Sequence, residues 1–143
     1  MGARILFHRT SVYIILVSII TIVCCSLSCC APNPRAVYGS FYKALTDHNA
    51  EVSWQLIDKA SQQAFGNTAI FLEQTGKGKA NNAKDAWKWV VEKNGSQQLP
   101  DPYELTDETI DGDYAVLTFS EGKVIKLIRE KGNWKVQAVN PGK

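Results

Sequence analysis

The apolar residues of this chain follow three patterns, and each pattern predicts a different kind of structure. Residues 11–31 form an apolar run without a charged side chain. From residue 34 to about residue 94, apolar residues recur every three or four positions, which is typical of one face of a helix. After Pro100 they alternate with polar residues, as in a β-strand. The pattern therefore predicts a membrane-directing segment followed by an α+β domain with its helices first.

The helical spacing predicts three helices. The first begins at Pro34, because proline is tolerated in a first helical turn, and ends near residue 48. The second covers residues 50 to about 60, after which residues 66–67 (Gly-Asn) interrupt the pattern. The third follows a flexible loop at residues 76–79 and ends at Asn94-Gly95.

Four strands are predicted after Pro100, at residues 103–110, 113–120, 123–130 and 134–139, with glycine-containing turns between them. If the last two turns are two-residue loops, Phe119 pairs with Val124 and Arg129 pairs with Trp134. One face of the sheet is then almost entirely apolar and should meet the helices. Its members are Tyr114, Val116, Thr118, Ile125, Leu127, Trp134, Val136 and Ala138, together with Arg129.

The N-terminal run has the organisation of a secretory signal peptide. Arg4 and Arg9 precede an apolar stretch at residues 12–23, and small residues follow at positions 26–28. The stretch Leu27-Ser28-Cys29-Cys30 resembles the box that ends the signal peptide of bacterial lipoproteins. The resemblance implies that a cysteine is lipidated and becomes the first residue of the mature chain. If Cys29 is the lipidated residue, Ser28 is a suitable residue before it. If Cys30 is lipidated, Leu27 and Ser28 fit the box. Both cysteines therefore remain candidates.

The alternative is an uncleaved membrane anchor. A bilayer crossing takes about 20 apolar residues, and residues 11–31 are long enough. Positive residues then keep the N-terminus inside, so both readings place the chain after residue 33 outside the cytoplasm. A cytoplasmic protein is a third possibility, but its N-terminal helix would have to hide apolar surface on every side. We therefore expect a signal or anchor at residues 1–30, a short linker at 31–35 and an α+β domain at 36–140, held close to the membrane.

The composition of this domain argues against some classes of function and some kinds of stabilisation. The chain has 16 basic and 14 acidic residues, and removal of Arg4 and Arg9 leaves 14 basic residues and no net charge. Because nucleic-acid binding needs a positive surface, we expect no nucleic-acid partner. No cysteine follows Cys30, so disulfides are not expected to hold the domain. About 113 residues are enough for a core without them.

The domain resembles the nuclear transport factor 2-like fold, the α+β cone that ketosteroid isomerase shares, and in particular the small lipoprotein domains of that superfamily. The segments that carry the resemblance are residues 36–45 (AVYGSFYKAL), 54–58 (WQLID) and 132–136 (GNWKV). The resemblance implies a sheet that wraps around the first helix and can leave a pocket. It implies no activity, because this fold hosts enzymes, binding modules and assembly domains.

Residues with catalytic chemistry are few. The domain has one histidine, His48, and no cysteine, so neither a metal cluster nor a nucleophilic triad is expected. Asp58 is the acid nearest an apolar stretch, and we expect it to cap a helix or face water. We expect no catalytic residue, no metal and no cofactor. The residues selected as a candidate ligand-binding set are Tyr38, Tyr42, Tyr114, Arg129 and Trp134.

Trp89 is the candidate for partner contact. It lies two positions from Trp87, so one helix face cannot bury both. Trp89 is therefore expected to be exposed, or to be covered by the membrane surface, by a protein partner or by a second copy of the chain. Together these features predict a non-catalytic, lipid-anchored domain on the extracytoplasmic side of the cell membrane that binds a small ligand or a protein partner. The rival hypotheses are an enzyme acting on a small hydrophobic substrate in the cone and an uncleaved single-pass protein with an assembly domain.

Overall fold

A computed structural model of the protein describes residues 32–139, in which helices precede a four-stranded antiparallel sheet. The helices are α1 (Pro34–Thr46), α2 (Ala50–Leu56), α3 (Lys59–Thr75) and α4 (Ala83–Asn94). A 3₁₀ turn at Pro102–Glu104 leads into β1 (Leu105–Asp111), β2 (Tyr114–Phe119), β3 (Val124–Glu130) and β4 (Asn133–Val136), which are neighbours in chain order. The predicted α+β class is therefore confirmed. Among residues 32–139, no helix combines the length and the apolar content that a bilayer crossing requires. The signal segment and both candidate lipidation sites, Cys29 and Cys30, lie outside the described residues.

Each α-helix begins after a side chain that accepts a hydrogen bond from its first turn. Asn33, Asn49, Asp58 and Asn82 supply these caps. An N-cap contributes about 1 kcal/mol because it satisfies a backbone N–H group that has no partner within the helix. The predicted starts of α1 and α4 are confirmed, and so is the predicted role of Asp58 as a cap.

The region between residues 56 and 75 differs from the prediction. The second helix stops at Leu56, because Ile57 adopts an extended backbone and pairs with Val136 of β4. The expected interruption at residues 66–67 is wrong, since α3 continues through them. A glycine inside a helix costs about 1 kcal/mol relative to alanine, and burial of other side chains of the helix offsets this cost. Those side chains are Phe65, Ala69 and Leu72.

The core lies between α1 and the inner face of the sheet. The side chains of α1 that point to the sheet recur at positions 37, 38, 41 and 45, as the sequence predicts, and none is more than 4% exposed. Helix α4 contributes Trp87 and Val91 to the same core. The sheet contributes Ala115, Leu117, Phe119, Leu127, Trp134 and Val136.

The face predicted for β2 is wrong. Phe119 was expected to pair with Val124, but Thr118 pairs with it instead. The β2–β3 loop has three residues rather than two, since the N–H of Phe119 donates to the carbonyl of Lys123. Gly122 takes the positive φ of 71° that this loop needs. A shift by one residue moves every side chain of a strand to the other face, so Tyr114 is 59% exposed on the outer face.

The β3–β4 turn agrees with the prediction. Lys131 and Gly132 form its two-residue loop, and both have positive φ, as a type I′ turn requires. Arg129 consequently pairs with Trp134, and the Arg129 guanidinium carbon lies 4.4 Å from the centre of the Trp134 ring system. This cation–π contact is confirmed at the residues where the sequence predicts it.

Candidate functional site

A cavity of about 390 Å³ opens between the helices and one end of the sheet. Its walls come from α1, α3 and α4, from the segment that follows α4, and from the start of β3 and the end of β4. A volume of this size lies in the range that small-molecule sites occupy. We take it as the candidate functional site.

The floor of this cavity is apolar and rigidly packed. Phe41, Leu45, Trp87 and Val91 all line it, and each is at most 4% exposed. The Trp87 ring meets Phe65 edge-on at 4.9 Å between ring centres and lies nearly parallel to Phe41 at 6.2 Å. Its indole N–H donates to the hydroxyl of Ser53 at 3.0 Å, which fixes the ring orientation. An apolar ligand would therefore find a preformed surface.

The rim of the cavity carries amide side chains, at Asn94, Gln98 and Gln137. An amide can donate and accept hydrogen bonds but does not exchange protons near neutral pH. Among the described lining residues there is no ionisable side chain. The arrangement suits an uncharged ligand with an apolar body and a carbonyl or hydroxyl group at one end.

His48 helps to shape the rim from outside. Its Nδ1 lies 3.0 Å from the carbonyl of Val91, in the last turn of α4, and donates to it. Gly95 follows that turn with φ 54°, and a side chain there would meet the His48 ring at 3.2 Å and the carbonyl of Leu45 at 3.3 Å. His48 thus has a structural role, since it contacts the last turn of α4.

The predicted ligand-binding residues do not line this cavity, and Tyr114 is separated from the others by its position on the outer face of the sheet. Tyr38 is buried against Phe119, with ring centres 5.2 Å apart, and Tyr42 packs beside it at 6.4 Å. Arg129 and Trp134 pair at the end of β3 that lies away from the cavity, which is lined by Val124 and Ile125 at the start of the strand. Tyr114 lies on the outer face of the sheet, because of the shifted β2 register, and so it is not a neighbour of Arg129 on the inner face.

The Tyr38 hydroxyl is a structural group. It donates a hydrogen bond of 2.6 Å to the carbonyl of Pro100, which joins α1 to the segment before β1. Burial raises the pKa of the Tyr38 phenol, and the nearby Tyr42 and Asp101 add to the increase. The residue is therefore uncharged throughout the physiological range.

We predict that the contribution of Tyr38 to stability decreases at high pH. In the unfolded chain a tyrosine ionises near pH 10, whereas the raised pKa keeps the folded phenol protonated. Above about pH 10 the unfolded state loses a proton that the folded state keeps, so the free energy of unfolding falls by up to about 1.4 kcal/mol per pH unit. The Tyr38→Phe variant has no hydroxyl at this position, so its free energy of unfolding does not fall for this reason. In urea unfolding, the wild type should be the more stable protein by about 1 kcal/mol at neutral pH, and this advantage should shrink or reverse at pH 11. If the difference in free energy of unfolding between the wild type and Tyr38→Phe stays constant with pH, the raised pKa of Tyr38 is contradicted.

The predicted exposure of Trp89 is wrong. Its side chain is half-buried against a second apolar cluster, formed by Ala69, Leu72, Ala80 and Ala86 between α3 and α4. The loop at residues 76–79 also covers it, since a side chain at Gly78 would approach the Trp89 indole nitrogen to 2.9 Å. Helix α4 therefore packs on two sides. The prediction for Trp89 assumed that only one face of this helix is buried. The burial explains Trp89 without a partner.

Asp58 is a buried helix cap. It is 2% exposed, and its Oδ1 accepts the N–H of Ser61 at 3.3 Å at the start of α3. The described residues also contain no group of three or more His, Cys, Asp or Glu side chains that could hold a metal ion. The cap is one of the two roles that the sequence predicts for Asp58.

A larger groove on the surface, of about 630 Å³, runs past His48 between α2 and α4. Two of its four carboxylates pair with its two lysines, since Lys84 reaches Glu51 at 2.6 Å and Lys88 lies 3.9 Å from Glu92. The other two also have partners, because Asp47 pairs with Lys43 and Asp85 accepts hydrogen bonds from Asn81 and Asn82. We therefore prefer the apolar cavity as the functional site.

Sequence reasoning missed the residues of this cavity. The available signal is the spacing of Trp87, Val90, Val91 and Asn94 on one face of α4. Comparison of the chain with protein-family models, with characterised proteins and with solved structures finds no match in any of the three. The geometry of the site is therefore the basis for a functional assignment.

Proposed function

We propose that the protein is a non-catalytic, membrane-attached domain that binds a small apolar ligand on the extracytoplasmic side of the cell membrane. The observation that carries this proposal is the cavity of about 390 Å³ with an apolar floor and an amide rim. Transfer of apolar surface from water contributes about 25 cal/mol per Å², so the floor supplies affinity. The amides at Asn94, Gln98 and Gln137 supply orientation.

Binding is favoured over acid–base catalysis by the chemistry of the rim. A general acid or base must be titratable and within hydrogen-bond reach of the reacting atom. The described polar side chains around the cavity are amides, and Asp58 uses its carboxylate to cap α3. This supports a ligand-binding role for the cavity.

We further propose that the α+β arrangement is of the cone type found in the nuclear transport factor 2-like superfamily. The packing of α1 across the inner face of the sheet supports this, since Tyr38 of α1 meets Phe119 of β2 with ring centres 5.2 Å apart. The position of the cavity between α1, α4 and the strand ends also agrees with a cone that opens at one end. An experimental structure whose sheet does not wrap around α1 would contradict this.

Attachment to the membrane is proposed through lipid on Cys29 or Cys30. The order of basic, apolar and small residues before these cysteines supports it. A single acyl chain anchors a protein only marginally, so stable attachment takes at least two, which lipoprotein processing adds.

We predict that intact-mass spectrometry of the membrane fraction finds a chain that begins at Cys29 or Cys30 and carries acyl chains. Cys29→Ser and Cys30→Ser, made separately, should identify the modified residue, because only one of them abolishes the added lipid mass. An unmodified full-length chain in the wild type, with both variants still in the membrane, would support the uncleaved anchor instead.

We predict that a neutral alkyl diazirine photoprobe of eight to ten carbons labels the cavity in the full chain. Cross-links should map to the lining residues within 87–99, at 124–125 and at 136–138. Val90→Phe fills the cavity from α4 and should reduce labelling several-fold. Val52→Phe is the matched control, because this helical valine is 43% exposed and does not line the cavity. Equal labelling of both variants and the wild type would exclude the cavity as the binding site.

A further inference from the structure

The start of α1 and the 3₁₀ turn before β1 form one continuous surface, which we call the anchor-proximal surface. It is a shallow groove of about 390 Å³ lined by Asn33, Arg35, Ala36, Gly39, Pro102 and Tyr103. Tyr103 is 95% exposed, the highest value among the exposed large apolar side chains of the described residues. Packing of the domain therefore gives no reason for an aromatic side chain at this position.

The length of the chain keeps this surface near the membrane. Asn33, which caps α1, follows Cys30 by three residues and Cys29 by four. An extended chain spans at most about 3.6 Å per residue, so Asn33 lies within about 11 to 14 Å of the lipid-bearing residue. We propose that the anchor-proximal surface rests on the phospholipid headgroups, with Tyr103 in the interface and Arg35 beside a phosphate. This inference rests on the proposed lipid attachment.

Tyr103 has the properties of an interfacial side chain. Tyrosine combines an apolar ring with a polar tip and is enriched where membranes meet water. Its backbone is fixed, because the N–H of Tyr103 donates to the Asp101 side chain at 2.9 Å and Pro102 restricts the turn. The ring therefore projects from a rigid turn rather than from a mobile loop.

Arg35 provides the positive charge of this surface. It lies exposed in the first turn of α1, where there is no acidic residue, and no ion pair to it occurs within residues 32–139. Guanidinium groups bind phosphate oxygens in a bidentate manner, and the N-terminus of a helix adds partial positive charge. Among the residues that line this surface, Arg35 alone is charged, so the group that it binds there should be anionic, like a lipid phosphate.

The test is hydroxyl-radical footprinting of the full chain in vesicles of phosphatidylcholine and phosphatidylglycerol, at about one chain per vesicle so that no second copy covers the surface. Tyr114 is the internal control, because it is 59% exposed on the outer face of the sheet. On a free surface Tyr103 should be oxidised faster than Tyr114, in line with their exposures. We expect the opposite order in vesicles. Faster oxidation of Tyr103 would overturn the inference.

A variant and a mass measurement separate this inference from the proposed attachment. Arg35→Gln should restore part of the Tyr103 oxidation in vesicles that contain phosphatidylglycerol, with the anchor intact. If intact-mass spectrometry shows lipid on the chain but Tyr103 reacts faster than Tyr114, the attachment stands and the membrane-facing surface is wrong. If the chain carries no lipid and does not sediment with vesicles, both are wrong. Equal protection of Tyr103 and Tyr114 would place the sheet on the membrane and also overturn the inference.

Discussion

Replacement of Trp87 by alanine is expected to lower the free energy of unfolding by about 3 to 5 kcal/mol. The Trp87 side chain is 4% exposed and contacts aromatic rings of both α1 and α3. Its removal leaves a space that the surrounding helices can fill only partly. It also removes a hydrogen bond of 3.0 Å to Ser53, which is itself fully buried.

Two further variants distinguish packing from hydrogen bonding at this position. Trp87→Phe keeps most of the ring volume and should cost less than the alanine variant, mainly for the lost hydrogen bond, which contributes about 1 kcal/mol. Trp89→Ala should also cost less, because Trp89 is only half-buried in a smaller cluster. Chemical denaturation of the three variants gives these differences. Equal destabilisation by Trp87→Ala and Trp89→Ala would show that the two sides of α4 contribute equally to the core.

Deletion of Thr118 from β2 is expected to cost about 1.5 to 3 kcal/mol, which is what complete burial of one large apolar side chain contributes. Thr118 pairs with Val124 and separates Leu117 from Phe119, which both face the core. Without Thr118, one of these two side chains must turn toward water, because adjacent residues of a strand point to opposite faces. Leu117 and Phe119 are both at most 1% exposed in the folded domain, so either change removes a buried side chain from the core.

The matched control is the β3–β4 turn, where Lys131-Gly132 is replaced with Asn-Gly. This turn already has two residues with positive φ, so the replacement keeps its length and backbone and should change stability little. Thermal unfolding followed by circular dichroism compares the two variants. A Thr118 deletion that unfolds like the wild type would contradict the register described for β2.

The two turns also show which parts of the sheet can be predicted from sequence. Lys131-Gly132 and Glu121-Gly122 have the same appearance in the sequence, a charged residue before glycine. Only the first is a two-residue loop, because Ser120 also joins the second loop. The number of residues in a loop depends on hydrogen bonds between the strands, and a local pattern does not specify them. The boundaries of β2 could therefore be predicted, but its inward face could not.

The same distinction between local and distant contacts holds for the candidate site. The contact between Arg129 and Trp134 could be predicted, because one turn and the alternation of two adjacent strands determine it. The cavity could not, since its walls come from three helices, two strand ends and a loop that are distant in sequence. The half-buried state of Trp89 depends likewise on the packing of α3 beside α4. Pairings between distant elements therefore carry the information that the sequence pattern lacks.

The two edges of the sheet have a consequence for behaviour at high concentration. At β4, the junction of α2 and α3 occupies the edge, because Ile57 pairs with Val136 and the Asp58 N–H donates to its carbonyl at 3.0 Å. At β1, the open edge carries three carboxylates within seven residues, at positions 107, 108 and 111. A second copy that paired there would bring like charges together, which opposes strand-by-strand polymerisation. One edge is blocked sterically and the other electrostatically, so the domain should resist fibrillar aggregation even when many copies are crowded together.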